Sequence, residues 1–166
     1  MQAVDGTSVT FGDFKGQPTV LWFWSPNWTR CQIEASTVAE AQKKYIDQVD
    51  FVGVAGRSDL NSVEEFITSS AVEEFPHVYD PDGEIWGRYG VSSQPAWIFI
   101  NSKGEWNFPM YGTGYADYSA HIMDGLNRLD PLYFAKFENI LAHPIWTYEQ
   151  NVFLSDSLEL DLRRAP

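Results

Sequence analysis

One cysteine, few basic residues and no long apolar run are the scarcities of this 166-residue chain. A lone thiol, Cys31, cannot close an intramolecular disulfide, although a disulfide to a second molecule stays open to it. Eleven Lys and Arg face 23 Asp and Glu, for a formal charge of -12 and a pI near 4.4. A surface of that sign argues against phosphate backbones and anionic lipid, so no nucleic acid is expected as a partner. No apolar stretch reaches the ~20 residues of a spanning helix, so no membrane span is expected. The opening MQAVDGTSVT has no basic stretch followed by an apolar one. The expectation is a cytoplasmic protein, or a secreted, extracytoplasmic chain whose leader was replaced by a Met.

Further absences narrow the chemistry. His77, His121 and His143 lie far apart, without zinc-site spacing. Asp80, Asp82 and Glu84 lack the other ligands and the length of a calcium loop and read as a turn. Gly53, Gly56 and Gly83 make no phosphate-binding phrase. Ser25 has no histidine beside it. No metal and no other cofactor is expected.

What the chain does have is a large apolar inventory, 44% hydrophobic and 16% aromatic with seven tryptophans, enough for one sizeable core. PTVLWFW (18–24), FVGV (51–54) and AWIFI (96–100) read as strands, the first two covered on both faces. Between the first two, Cys31, Glu34, Val38, Ala41 and Tyr45 recur at spacings of 3, 4, 3 and 4, which is one helix face. Strand, helix and strand of these lengths form a right-handed crossover. Ser62 and Glu65 fit a capping box opening a second helix with Val63, Phe66 and Ile67 on its apolar face. DPDG (80–83) and SKGE (102–105) are turns. Trp106 to Met110 pairs back as a hairpin, and Tyr118, Ile122, Leu126 and Leu129 mark a third helix. The order is β-α-β-α, a linker, then β-β-α. Residues 132–166 form a C-terminal extension too apolar for disorder. They pack on the 1–131 domain or serve as an exchanged, dimer-forming arm.

The phrases KGQPTVLWFWSP, CQIEA, YDPDGEIWGRYGV and SSQPAWIFINSKGE (15–26, 31–35, 79–91 and 92–105) resemble the redoxin branch of extracytoplasmic disulfide oxidoreductases, the TlpA and DsbE-like proteins. The resemblance covers roughly Asp5 to Leu129. It implies an α/β thioredoxin fold, a central mixed sheet flanked by helices. It also implies thiol-disulfide exchange on secreted proteins. Laid on the family motif W-x-P-x-C-x-x-C, Trp24 and Pro26 match, Trp28 stands in the nucleophile's place and Cys31 in the resolving place. Glu34 matches an acidic residue three positions on, assigned to proton handling. Gln94-Pro95 matches a cis-proline substrate clamp. Trp22 stands where thioredoxins carry a buried carboxylate.

In that chemistry a helix N-terminus stabilises a thiolate at the first cysteine, which attacks a disulfide; the second thiol then resolves the mixed disulfide. An indole can do neither. An internal dithiol cycle is therefore excluded for the chain as written, and Trp28 marks an impaired site or a natural Cys or selenocysteine position. Cys31 is expected to face inward as an inert core thiol. The rival is a one-cysteine site working through mixed disulfides. Glu34 is expected to be partly exposed, bonded to water or backbone. A second overall reading is a non-catalytic module that holds peptides around Trp28 and Pro95. Peroxidase chemistry is disfavoured because Cys31 is not at the helix start.

Overall fold

The computed structural model describes residues 1, 3–10, 16–106 and 109–112. The chain divides into two units, Met1–Leu129 and Asp130–Pro166, and every described residue belongs to the first. The third helix expected over Tyr118 to Leu129, the extension from 132 and the dimer-forming arm lie outside the described residues.

Among the described residues, five strands form one mixed sheet. β1 (Thr19–Trp24), β2 (Asp50–Gly56), β3 (His77–Asp80), β4 (Ala96–Ile100) and β5 (Met110–Tyr111) lie in the order β3-β2-β1-β4-β5. β1 runs parallel to β2 and β2 to β3, whereas β4 is antiparallel to β1 and β5 to β4. Every residue of β1 is buried because both faces of the sheet are covered, which is why it reads as a continuous apolar run.

Alternation along β1 sorts the two layers. Trp22 and Trp24 face α1 (Thr29–Tyr45) and α2 (Leu60–Ser69): the Trp22 indole bonds Glu34 of α1, and Trp24 stacks on Phe66 of α2 with ring centroids 4.4 Å apart. Leu21 and Phe23 face the other way, packing with Val52, Val54, Val78 and Ile98 and with Ile85 and Trp86 of α3 (Glu84–Arg88). Successive right-handed crossovers from β1 to β2 to β3 place α1 and α2 on one face.

The expected strands at 18–24, 51–54 and 96–100 are present, and the α1 stripe is buried as its spacing requires. Three local readings are corrected. The stretch taken as a linker and turn holds β3 and α3. Asp80, the last residue of β3, is buried and accepts the backbone N–H of both Ile85 and Trp86 at 3.0 Å, so one carboxylate ends the strand and opens the helix. The cap of α2 is Asp59 rather than Ser62. Its carboxylate accepts from Ser62 N at 3.0 Å and from Ser62 Oγ at 2.8 Å, and these bonds hold its pKa below the usual carboxylate range. The returning strand is Met110–Tyr111, with Trp106 contributing one isolated bridge to Ile100.

His77 is a packing residue of the core. It is 2% exposed, with Nε2 2.7 Å from the Val72 carbonyl oxygen. Its ring lies so close to β2 that a Cβ on Gly53 would clash with its Nδ1. Gly53→Ala is therefore expected to cost about 1–3 kcal/mol through overpacking, read from the urea midpoint. An unchanged midpoint would mean that the ring can move aside.

Candidate active site

β1 ends at Trp24, and Ser25, Pro26 and Asn27 lead into α1. Trp28 is the N-cap, in extended conformation (φ -108°, ψ 114°), and its side chain makes no capping hydrogen bond. Its carbonyl accepts from Cys31 N at 2.9 Å, and its N–H donates to Ser25 O at 3.2 Å. Gln32 Nε2 donates to Pro26 O at 2.8 Å and staples the loop to the first turn. The first turn of α1 carries no acidic residue, while Lys43 and Lys44 stand in its last turn. The positive end of the helix dipole thus meets position 28 with no carboxylate from that turn to offset it.

Trp28 is 47% exposed. Cys31, one turn on, exposes nothing. Burial pushes its thiol pKa up to about 12; a hydrogen bond with the Ser25 backbone opposes the rise and the nearby Glu34 adds to it. The inward orientation expected for Cys31 is therefore observed. Glu34 departs from expectation: it is buried rather than partly exposed, and accepts from Trp22 Nε1 at 3.1 Å. A bonded indole offsets part of the cost of burying the carboxylate. Trp22, in the place where thioredoxins hold a carboxylate, thus receives one from α1.

The Gln94-Pro95 bond is cis. β1 pairs with β4 with Phe23 opposite Ala96, so the start of β4, and Pro95 before it, adjoins the end of β1 that delivers the Trp28 loop. Gln94 is half-buried and Pro95 buried. Trp24 and Pro26, which the family resemblance implies for substrate binding, are both buried. Two contributors were missed. Arg57 bonds Gln94, and Ser58 bonds Asn27. The polar GRSD (56–59) at the end of the second strand was the available signal, because that strand ends where Trp28 begins its helix. A cavity of about 170 Å³ lined by Asp5, Glu64, Phe75 and His77 shares no residue with this rim.

A strand-helix crossover followed by an antiparallel strand, with a cis-proline beside the helix start, defines a thioredoxin-fold protein of the redoxin type. The profile of the AhpC/TSA family matches residues 1–106, and the chain belongs to that family. It is 36% identical over 104 residues to the soluble secreted antigen MPT53 of Mycobacterium tuberculosis, a match covering 63% of this chain and 56% of MPT53. The chain thus spans about half the length of that relative. The solved structure of MTB DsbF, in mixed oxidised and reduced forms, superposes with a TM-score of 0.69 at 32% identity, covering 75% of this chain and 92% of that one. A secreted Mycobacterium tuberculosis disulfide oxidoreductase homologous to E. coli DsbE superposes with a TM-score of 0.63 at 29% identity, covering 73% and 91%.

Proposed function

We propose that this chain is a DsbE/TlpA-like redoxin whose underlying chemistry is thiol-disulfide exchange on extracytoplasmic protein substrates, and that it is disabled as written at the attacking position. The observation that carries the reading is the pairing of a helix start at Trp28 whose first turn holds no acidic residue with a buried thiol at Cys31, beside a cis Gln94-Pro95 bond. With sulfur at position 28, a thiolate there would attack a substrate disulfide, forming one S–S bond and expelling the substrate's other sulfur as a thiolate. Cys31, on losing its proton, would attack the position-28 sulfur, releasing the second substrate thiolate and leaving the protein oxidised. Glu34, buried on the same helix stripe, would take that proton. Gln94 and Pro95 would present backbone to the peptide. Trp28 supplies no sulfur, so neither step can begin.

Insulin reduction with dithiothreitol tests this. The chain as written should match the uncatalysed rate, and Trp28→Cys should exceed it clearly. Failure of a folded Trp28→Cys protein would favour the second reading, a non-catalytic peptide-binding module, which the half-exposed Trp28 indole on the rim supports. The native codon at 28 separates a natural tryptophan from a cysteine or selenocysteine position. Secretion follows the character of the relatives. A packed extension at 132–166, or a homodimer through it, would be read by sedimentation before and after truncation at Pro131.

A further inference from the structure

We propose that Arg57 is a positioning residue that fixes the Ser92–Pro95 loop, and through it the strength with which the rim holds a peptide. The proposal rests on the reading of that loop as the substrate-facing one. Arg57 follows β2 directly, at the sheet end where β1 delivers Trp28. Its backbone is left-handed, with φ 56°, a conformation uncommon for a residue with a side chain and open to glycine.

From there the guanidinium crosses to the proline loop. Nη1 donates to Gln94 Oε1 at 3.0 Å and Nη2 to Ser92 O at 2.8 Å. The guanidinium carbon also lies over the Trp86 ring, 4.9 Å from its centroid. Trp86 is a fixed platform: it is buried, meets Phe23 edge-on at 5.8 Å, and sits where a Cβ on Gly56 would come within 2.9 Å of it. From the other side, the Ser92 N–H donates to Tyr111 Oη at 3.1 Å. Ser92 is thus held by its carbonyl from Arg57, just after β2, and by its N–H from β5.

The neighbouring residue extends the tie to the helix start. Ser58 Oγ accepts from Asn27 Nδ2 at 3.2 Å, and Ser58 O accepts from Tyr79 Oη at 3.0 Å. Asn27 immediately precedes Trp28. Residues 57 and 58 therefore connect the loop before Trp28 with the loop before Pro95. An exposed charge contributes little by itself. The planar fork, bonded twice and laid on a buried ring, is what a lysine cannot reproduce. The expected effect is on binding rather than on chemistry.

Trp28→Cys is compared with Trp28→Cys/Arg57→Gly and Trp28→Cys/Arg57→Lys, with insulin as substrate and dithiothreitol as reductant. Nitrogen-15 relaxation order parameters are measured for Ser92 to Gln94 in each. Glycine suits the local φ, so the melting temperature should hold or rise. Order parameters at 92–94 should fall, beyond any local effect at 57. The KM for insulin should rise roughly five- to tenfold with kcat retained. Arg57→Lys should behave like Arg57→Gly. Unchanged order parameters at 92–94, an unchanged KM, or full rescue by lysine would each overturn the proposal. If Trp28→Cys is itself inert, the oxidoreductase reading falls and the order parameters alone decide. A drop then upholds the positioning role, and no drop rejects it.

Discussion

The folded protein, treated with an aromatic disulfide reagent near pH 8, is expected to label Cys31 at least about thirtyfold more slowly than the same chain in denaturant. Two ionisation effects compete. The rise of the thiol pKa from an ordinary 9.0 to about 12 removes about a thousandfold of the thiolate, which is the reacting species. A more basic sulfur is a better nucleophile, and a Brønsted slope of about 0.4–0.5 returns at most about thirtyfold over three units. Depletion wins. Closure acts in the same direction, because Cys31 exposes no surface for a reagent to reach. Labelling should then proceed through transient opening, and sub-denaturing urea should accelerate it. Native labelling as fast as denatured labelling would remove the inert-thiol reading and promote a one-cysteine mixed-disulfide mechanism.

Acid should destabilise this fold well above the pH at which carboxylates alone would do so, and His77 is the reason. Burial lowers its folded pKa from 6.5 to about 4, only partly opposed by its bond to the Val72 carbonyl and by Asp5 and Glu73. The unfolded chain therefore binds the proton first as pH falls. The stability that a neutral His77 contributes is complete above pH 6.5 and is lost progressively between 6.5 and 4. Across that interval the loss approaches roughly 3 kcal/mol, at about 1.4 kcal/mol per pH unit. Urea midpoints from pH 7 to 4.5, with the His77 ring resonances followed by titration, measure it. A ring that titrates near 6.5 in the folded state would refute the assignment. His77→Gln should flatten the slope, and the ring titration still decides the matter if that variant folds poorly.

How far the sequence revealed this molecule depended on the range of each determinant. β1, β2 and β4 were legible because strands buried on both faces read as apolar runs, and α1 because its inner face repeats every three or four residues. β3 and α3 were not, because four and five residues are too few to show a period, and the carboxylate that joins them looks like any turn aspartate. The cap of α2 was displaced by three residues because Asp59 and Ser62 are both good caps and only the chain's approach selects between them. Position 28 was legible from its motif frame. The partner of Glu34 was not, since Trp22 lies twelve residues away on another element. Arg57 was missed for the same reason: its partners stand 35 and 37 residues on, and the polar GRSD after the second strand points to a rim without showing which loop it ties.

The layering of Trp24, Trp22 and Trp97 has a spectroscopic consequence. Their rings stack with centroids 5.5 and 6.1 Å apart and interplanar angles of 21° and 28°, and none of the three is exposed. Transition dipoles held that close couple, so the three indoles should absorb as an exciton system rather than as independent chromophores. Their split circular-dichroism band would overlap the region from which helix content is usually read and bias that reading. The same band is a built-in reporter of core order, because it depends on ring registry and should vanish when the layer loosens, even if the backbone keeps its helices. Trp28, outside the stack and half in solvent, would add a separate red-edge emission on which contact at the rim can be followed.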